Sequence, residues 1–572
     1  MHTAEDGTIY ITDLNLCQPT DKLSPMRTPD TWKTWDYDTM EFHGKMLVAG
    51  QDTKAPDVTY SLKLVGRYYL YVGMYCRGGY TSAEVKLTTD PCFTKIIHRN
   101  NNNFQSRIVD IFWKHDELTD KDIVIRRGHQ GEEAYIAYIK IVPITDRQIH
   151  LLESEAIESH SKRLYAKFDP AFSFYPTDDI KQAIQQEIEP LRDTDFTRVY
   201  YEAAEGDITS YSGNIGRCVG DVLANLQGFG VPQWSHSKEN WRVIQEQDID
   251  PLQIAIDYVH ELGMDFHAMY RLNNGFVDMP PIEERHIDTG FAYLNPQWRC
   301  IDKDGRDMGR MSFAFQEVQE FAISILKEVV SYNVDGICLM FNRQPPHLMY
   351  EEPLIQGFTQ KYGVDPRNID ERDIRWLAYK ANILTDFMHN IKSAMEEIAS
   401  LNGTHIPISV WVMASKHENL FFGIDLERWV KEGLVDTIIP DNSVTKEWGR
   451  SWDIADIDWL LELTKESKCE VVPGITGQNP SPEDQRKHVI PLYKAGVQKL
   501  AFWDTNSINQ TSLTWNNISK LGHLAELYEW ERSGCPDMVP SQQVVTRLGD
   551  YNMVARERLS LMTEFTPIEP EN

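Results

Sequence analysis

The protein has 572 residues, of which 41% are hydrophobic and 25% charged, the composition of a folded globular protein long enough for more than one domain. Its 57 basic and 86 acidic residues leave a net charge of -29. This charge argues against nucleic acid as a partner, because binding a phosphate backbone needs a basic face. The sequence contains no run of about 18 apolar residues, so no membrane span is expected.

The eight cysteines are scattered, with no CxxC pair and no Cys/His cluster. This pattern argues against a structural zinc site, and no cofactor is expected. The first residues lack the charged and apolar stretches of a signal peptide. The expectation is therefore either a cytoplasmic protein or a secreted or periplasmic one whose signal has been removed.

Residues 1–148 are predicted to form an all-β sandwich of the jelly-roll type. Apolar runs, alternating or continuous, are separated by turn residues at 59–66, 68–75, 82–87, 107–113 and 134–143. A sandwich beside a barrel either binds carbohydrate or braces the barrel, and both alternatives stay open. The polar stretch 149–162 is interpreted as a linker.

From residue 163 to residue 535, short apolar runs alternate with helical patterns, which predicts an α/β fold of the (β/α)8 TIM barrel type. The predicted strands are 164–168, 198–202, 265–270, 336–341, 408–413, 437–440, 470–473 and 499–503. The predicted helices are 178–192, 251–262, 313–332, 374–401, 426–432, 455–466, 482–494 and 513–531. A doubly wound open sheet is the alternative, but it would place a Gly-rich phosphate loop after the first strand, where the chain reads Asp169-Pro-Ala-Phe. Residues 536–572 are left as a C-terminal extension.

Acidic side chains follow several predicted strands, at the end where barrel enzymes carry their chemistry. The candidate catalytic residues are Asp504, Glu351, Asp207 and Asp441. Asp504 ranks first because Trp503 places an aromatic wall beside it. Two of the four have structural alternatives: Asp207 belongs to an acidic loop, and Glu351 lies at a helix start, where the dipole favours a carboxylate.

Polar and aromatic residues at the same strand ends are the candidate substrate ligands: Glu205, His267, Tyr270, Arg271, Asn342, Arg343, Trp411 and Trp503. Strand alternation places His267 and Arg271 on one side and Tyr270 on the other. Arg271 either binds an anionic group of the substrate or holds a neighbouring acid. Arg271 and Arg343 together favour an anionic carbohydrate, with a structural clamp as the alternative.

The span 334–442 resembles a known family. The matching motifs are Asp335-Gly-Ile, Arg343 with Pro345, Phe358-Thr-Gln-Lys-Tyr-Gly-Val-Asp-Pro, Arg375-Trp, Trp429-Val-Lys-Glu-Gly-Leu-Val-Asp and Ile439-Pro. They resemble the bacterial glycosyl-hydrolase-like proteins of the family 10-like group. The resemblance implies a (β/α)8 barrel that acts on carbohydrate. One feature departs from it, because the pair of acids that the family shows at the end of the fourth strand is replaced by Met340 and Phe341.

The predicted function is that of a glycoside hydrolase cleaving a poly- or oligosaccharide, with one protonated carboxyl and one carboxylate as its catalytic groups. A non-catalytic carbohydrate-binding protein on a barrel scaffold is the alternative, and the missing acid pair motivates it. A metal-dependent hydrolase using His267, Asp207 and Asp441 is a third alternative, which no HxH or HExxH spacing supports.

Overall fold

The structure is a computed structural model that describes most of the chain. The described residues are 2–76, 79–100, 106–128, 132–150, 159–174, 177, 179–224, 232–273, 290–343, 345–441, 452, 454–476, 481–503, 505 and 512–553. The mixed α/β character expected from the sequence is confirmed.

Two β-sheets are built mainly from the first 143 residues. The larger sheet contains ten strands: His2–Thr3, Ile9–Ile11, Leu23–Ser24, Trp32–Thr39, His43–Ala49, Arg67–Tyr75, Arg107–Glu117, Ala134–Pro143, Gln542–Leu548 and Tyr551–Asn552. The smaller sheet contains four: Val58–Tyr60, Gly79–Leu87, Thr94–Asn100 and Ile123–Arg127. Apolar side chains of both sheets form one buried cluster. These two sheets are called the paired sheets below.

The paired sheets differ from the expectation at two places. The strand expected at 59–66 is confined to Val58–Tyr60, and beyond it the Leu62 N–H bonds the Asp122 side chain instead of a neighbouring strand. The strand Gln542–Leu548 comes from the far end of the chain. It lies between Trp32–Thr39 and Arg107–Glu117, antiparallel to both.

Eight segments form parallel strands in chain order, and these are called the ring strands. Their bounds are Leu164–Phe168, Phe196–Glu205, Asp265–Arg271, Gly336–Met340, Ile408–Met413, Thr437–Asp441, Glu470–Val471 continued by Gly474–Thr476, and Leu500–Trp503. Each strand pairs with the next, and the eighth also pairs with the first. The interrupted seventh strand pairs with the sixth through its first half and with the eighth through its second. Parallel pairing therefore continues around the whole set.

Helices connect the ring strands and pack around them. Their bounds are Ile180–Ile188, Val219–Ala224, Pro232–Glu246, Pro251–Glu261, Phe291–Leu294, Gln316–Val330, Glu352–Tyr362, Ile374–Asn402, Lys416–Phe421, Leu426–Lys431, Ala455–Thr464, Pro482–Lys494, Ser512–Ile518 and Leu524–Arg532. Side-chain caps fix several starts: Asp250 bonds the N–H groups of Leu252 and Gln253, and Ser481 bonds that of Asp484. Two short strands, Arg299–Ile301 and Asp307–Met311, form a separate hairpin.

The helix expected over 513–531 is in fact two helices separated at Gly522. The Gly522 N–H donates to Asp195 Oδ2 at 2.8 Å, and a Cβ at this position would lie 1.9 Å from the Ser161 carbonyl oxygen. The Gly522 N–H is therefore not available to a carbonyl one turn earlier in a helix, and the close approach leaves no room for a side chain at this position. A continuous helix through residue 522 is excluded. No helix among the described residues is long and apolar enough to cross a membrane.

Candidate functional site

The inside of the ring is filled by one side-chain cluster to which every ring strand contributes. Its members are Tyr165, Tyr200, Met269, Cys338, Met340, Trp411, Ile439, Val472, Ala501 and Trp503. Period-two alternation sends the intervening residues outward to the helices. On the third strand Met269 faces inward, whereas Tyr270 belongs to the outer cluster, as expected.

Charged side chains lie above this cluster, at the carboxyl ends of the first three ring strands. Arg271 directs each guanidinium nitrogen at a different acid: Nη2 lies 2.8 Å from Asp169, Nε 2.5 Å from Glu202 and Nη1 3.6 Å from Glu205. Lys167, whose side chain is fully buried, lies 2.5 Å from Asp169. Arg271, Lys167 and these three carboxyl groups are called the acid cluster below.

Two of the three acids have pKa values shifted in opposite directions. Burial raises the pKa of Glu202 well above its usual range, and the nearby Asp169 carboxylate adds to this rise, while Arg271 opposes it. Burial acts the same way on Asp169, but Arg271 and Lys167 outweigh it and lower the pKa of that carboxyl. These directions, together with the hydrogen bond between the two side chains, favour Glu202 over Asp169 as the carboxyl that keeps a proton.

A second carboxylate, Asp441, lies at the end of the sixth strand. Trp411 Nε1 donates to its Oδ2 at 2.8 Å, and Asn342 Nδ2 lies 3.3 Å from the same atom. Asp441 is 2% exposed. Two neighbouring strands therefore fix the orientation of this carboxylate.

Trp503, on the eighth strand, connects the two groups of side chains. Its ring stands edge-on to Trp411, with centroids 5.2 Å apart, and Lys167 Nζ lies 4.2 Å from its centroid. The Arg343 guanidinium lies 5.6 Å from the same centroid. The acid cluster, Asp441 and an aromatic wall thus share the carboxyl end of the ring.

The polar atoms at this end that are buried without a hydrogen-bond partner among the described residues include Glu202 Oε2, Arg271 Nε and, outside the acid cluster, the pair Asn342 Oδ1 and Arg343 Nε. Of this pair, one accepts and the other donates, and they belong to consecutive residues. Buried polar groups in folded proteins nearly always find a partner. A polyhydroxylated ligand would supply one for each.

Several predicted residues come together here: Glu205, Arg271, Asn342, Arg343, Trp411, Trp503 and Asp441. Of the two alternatives for Arg271, the structure favours the holding of neighbouring acids, since all three acids lie around it.

Glu351 lies elsewhere. Its carboxyl accepts hydrogen bonds from the N–H groups of Met349 and Ile301, at 3.0 and 3.1 Å, just before the helix Glu352–Tyr362. Burial raises its pKa. In this place Glu351 ties the hairpin strand Arg299–Ile301 to the start of the helix.

Asp207 and Tyr270 lie together outside the ring. Asp207 Oδ1 pairs with Arg217 at 3.2 Å, and Tyr270 donates its hydroxyl to the Gly206 carbonyl. Both line a small cavity with apolar neighbours such as Phe291 and Met311. The outward direction of Tyr270 keeps this pair apart from the acid cluster.

His267 is fully buried inside the ring, below the level of Arg271. Its ring stands edge-on to Tyr200, and Gly336 leaves room for it: a Cβ there would lie 2.5 Å from the imidazole. Burial lowers its pKa well below the usual range. His267, Asp207 and Asp441 therefore occupy three separate environments, and no group of three potential metal ligands occurs among the described residues.

Asp504, the first-ranked acid of the sequence analysis, lies outside the described residues. Lys167, Asp169 and Glu202 were not among the predicted site residues. Their signal in the sequence is a charged residue at an inward position near the end of an otherwise apolar strand, as in Leu164-Tyr-Ala-Lys-Phe-Asp. The sequence analysis looked for acids in the residues that follow each strand. Assigning inward and outward positions along every strand would have found Lys167 and Glu202.

These features define a parallel α/β protein with a candidate active site at the carboxyl ends of its strands. Residues 225–472 match the family model described as glycosyl hydrolase-like 10, which confirms the resemblance found in the sequence. The match includes Arg271, Asn342, Trp411 and Asp441. It begins after the first two ring strands, ends within the interrupted seventh strand and does not reach the eighth.

Curated relatives carry similar names. The chain is 22% identical over 281 residues to "Glycosyl hydrolase DigH" of Escherichia coli, a match covering 45% of this chain and 62% of that protein. It is 24% identical over 207 residues to "Glycosyl hydrolase YngK" of Bacillus subtilis, covering 33% and 38%. The chain therefore spans less than two thirds of the length of these relatives.

Solved structures with similar chain traces include the Podospora anserina GH26-CBM35 beta-(1,4)-mannanase and the glycoside hydrolase domain of PelA from Pseudomonas aeruginosa. The first is 12% identical and covers 90% of this chain and 96% of that one, with a TM-score of 0.30. The second is 11% identical and covers 60% and 95%, also with a TM-score of 0.30.

Proposed function

We propose that the protein is a glycoside hydrolase whose ring is a (β/α)8 barrel and whose catalytic groups lie at the carboxyl ends of the ring strands. The observation that carries the proposal is the acid cluster itself, in which Arg271 lies 2.8 Å from Asp169 and 2.5 Å from Glu202, and burial raises the pKa of the Glu202 carboxyl. Glycoside hydrolysis needs such a carboxylic acid near neutral pH to protonate the leaving oxygen.

In this proposal Glu202 is the general acid. Asp169 is not its catalytic partner, because the two are hydrogen-bonded, whereas paired catalytic carboxyls stand at least about 5 Å apart. Asp169 and Arg271 instead act as positioning residues that set the protonation of Glu202. Asp441, held by Trp411 and Asn342, is the ionised carboxylate that serves as nucleophile or base.

The substrate is proposed to be a poly- or oligosaccharide bound at the carboxyl ends of the ring strands, beside the acid cluster and Asp441. The unpartnered Asn342 Oδ1 and Arg343 Nε suit sugar hydroxyls. Because Arg271 is already surrounded by three acids, an anionic substrate would depend on Arg343.

The test is release of reducing ends from a panel of polysaccharides and aryl glycosides. We expect Glu202→Gln to lower kcat/KM by about 100- to 10,000-fold on natural glycosides. The loss should be much smaller on dinitrophenyl glycosides, whose leaving group needs no proton. Asp441→Asn should lower activity on both kinds of substrate. Asp504→Asn is assayed on the same substrates, because Asp504 ranked first among the acids in the sequence analysis.

Glu470→Gln is the matched control. Glu470 is also an ion-paired ring residue, 3.1 Å from Lys499, but it lies at the opposite end of the strands. Its variant should keep full activity. If Glu202→Gln and Asp441→Asn retain wild-type turnover, this assignment of the catalytic groups is wrong.

A non-catalytic carbohydrate-binding protein remains the second candidate, and one observation favours it. At the end of the fourth strand, Met340 and Phe341 are fully buried apolar residues where the family resemblance implies acids. Saturable glycan binding by the wild type, with no release of reducing ends above background, would favour this candidate.

A further inference from the structure

A large cavity lined by described residues lies at the opposite end of the ring from the acid cluster. Its volume is about 750 Å³, and it opens between the paired sheets and the amino-terminal side of the ring. Its walls come from the strands Arg67–Tyr75 and Arg107–Glu117, from residues 189–195 before the second ring strand, and from the helix Ser512–Ile518. We call it the interdomain cleft.

Aromatic side chains form one wall of the interdomain cleft. Tyr69, Phe112 and His115 are half-buried on the sheet surface, and Tyr69 stands edge-on to both of the others, at 6.2 and 6.1 Å. A register shift between Phe112 and Lys114 lies in this wall. Such bulges redirect side chains, and they are frequent beside binding sites.

The polar groups of the cleft are largely neutralised by one another. Lys114 pairs with Asp90 and Asp116 at 2.8 and 2.9 Å, and Lys121 pairs with Asp116 at 2.9 Å. On the ring side, Arg192 pairs with Glu189 at 2.8 Å. A charged ligand would have to break these pairs, whereas a neutral ligand with many hydroxyl groups could bond to them as they stand.

The dimensions also suit a ligand of moderate size. A volume of about 750 Å³ lies within the range of small-molecule sites, roughly 300 to 1,000 Å³. The rim is open to solvent, since Thr89, Asp193 and Lys520 are exposed there. The wall residue Trp113 is 7% exposed, and its indole N–H has no hydrogen-bond partner among the described residues.

We infer that the interdomain cleft is a second, non-catalytic binding site for a neutral oligosaccharide. Phe112 and Tyr69 supply the stacking surface, and the paired charges supply fixed donors and acceptors. The inference rests on the proposed function for the class of ligand, but not for the residues that bind it. A glycan held here would contact both the paired sheets and the ring.

The experiment counts binding sites by isothermal titration of the full chain carrying Glu202→Gln, which silences turnover. The probes are neutral tetra- to hexasaccharides of β-glucan, mannan, xylan and chitin. In this background Phe112→Ala removes the stacking surface, and Thr89→Trp fills the rim from an exposed position without disturbing the core. Trp503→Ala removes the aromatic wall of the ring site.

Tyr68→Ala is the matched control. Tyr68 is an aromatic residue of the strand Arg67–Tyr75, which also carries Tyr69, but it packs against the core of the paired sheets and does not line the cleft. Its variant should bind as the parent does.

We expect at least one probe to bind at two sites per chain, with Phe112→Ala and Thr89→Trp each weakening one of them at least tenfold. A single site that is lost only in the cleft variants would support the cleft and contradict the proposed ring site. A single site lost only in Trp503→Ala would overturn the cleft inference and leave the proposed function standing. Absence of binding by every probe would overturn the cleft inference.

Discussion

The two ends of the ring contain the same kinds of side chain but combine them differently. At the amino-terminal end Lys499 pairs with Glu470 at 3.1 Å, and Tyr165 donates its hydroxyl to the same carboxylate. Arg198 pairs with Asp265, also at 3.1 Å. Two acids thus meet two cations, and Asp265 keeps 52% of its side chain exposed.

At the carboxyl end three acids surround the single guanidinium of Arg271, and the whole acid cluster except Asp169 is at most 16% exposed. One acid can stay neutral there more easily than all three can ionise, because burial penalises charge and neighbouring carboxylates repel one another. The difference teaches that ion pairing inside the ring is not in itself a sign of function. The crowding of three acids around one buried guanidinium distinguishes the candidate active site.

The largest effect that separates the two ends is expected from removing their arginines. Arg271→Met removes the guanidinium that the three acids surround, two of which are largely buried, and we expect a loss of about 3–5 kcal/mol in the free energy of unfolding. Arg198→Met leaves only the half-exposed Asp265 unpaired, for which about 1 kcal/mol or less is expected. Urea unfolding of the two variants measures the contrast, and equal losses would contradict it.

The next largest effect concerns the orientation of Asp441. Trp411→Phe keeps an aromatic ring but removes the donor to that carboxylate, and we expect a loss of about 1–3 kcal/mol in stability, with at least a tenfold fall in kcat. Trp429→Phe is the matched control, since Trp429 is equally buried and its indole N–H donates to Thr385 outside the ring. It should show the same loss of stability with unchanged kcat.

The pH profile tests the protonation of Glu202. Its pKa is raised in the folded protein, so the protonated form persists above pH 4.5 and is lost only as the pH rises through the folded-state pKa. The falling limb of kcat/KM against pH should therefore lie well above the usual glutamate range. Arg271→Lys keeps the positive charge, but an ammonium group cannot direct a separate nitrogen at each of the three acids. The pH of the falling limb should therefore change in this variant. A limb near pH 4.5 would remove Glu202 as the acid.

The last contrast concerns Glu187, an acid of the helix Ile180–Ile188 whose carboxyl accepts a hydrogen bond from the Ala171 N–H at 3.1 Å, just after the first ring strand. Burial raises the pKa of Glu187 to about 8. The unfolded chain ionises near 4.5 and the folded chain near 8, so stability should fall as the pH rises between these values, by about 1 kcal/mol per unit. Chemical unfolding at pH 5, 6.5 and 8 should show a flatter dependence for Glu187→Gln.

Much of the parallel fold could be predicted from the sequence because its strands are short apolar runs with turn residues on both sides. The first and fifth ring strands begin and end where the pattern indicated. The seventh is interrupted after Val471, where the chain changes partner from the sixth strand to the eighth. No local pattern reports such an exchange, because it depends on long-range pairing.

The candidate site was predictable in part for a related reason. Position near the carboxyl end of a strand was enough to find Asn342, Trp411 and Asp441. Glu351 and Asp207 satisfy the same rule, yet the first holds backbone N–H groups and the second pairs with Arg217 outside the ring. Position after a strand does not report the direction of a side chain, and inward direction is what assembles Lys167, Asp169 and Glu202 with Arg271.

The strand Gln542–Leu548 has a consequence for how the chain acquires its shape during synthesis. The larger of the paired sheets needs this strand between Trp32–Thr39 and Arg107–Glu117, but the ribosome makes it only after all eight ring strands. Until then those two strands present unpaired edges, which are prone to pairing with other chains. Residues 1–148 expressed alone should therefore associate or aggregate, and addition of a peptide containing residues 541–549 should restore the monomer.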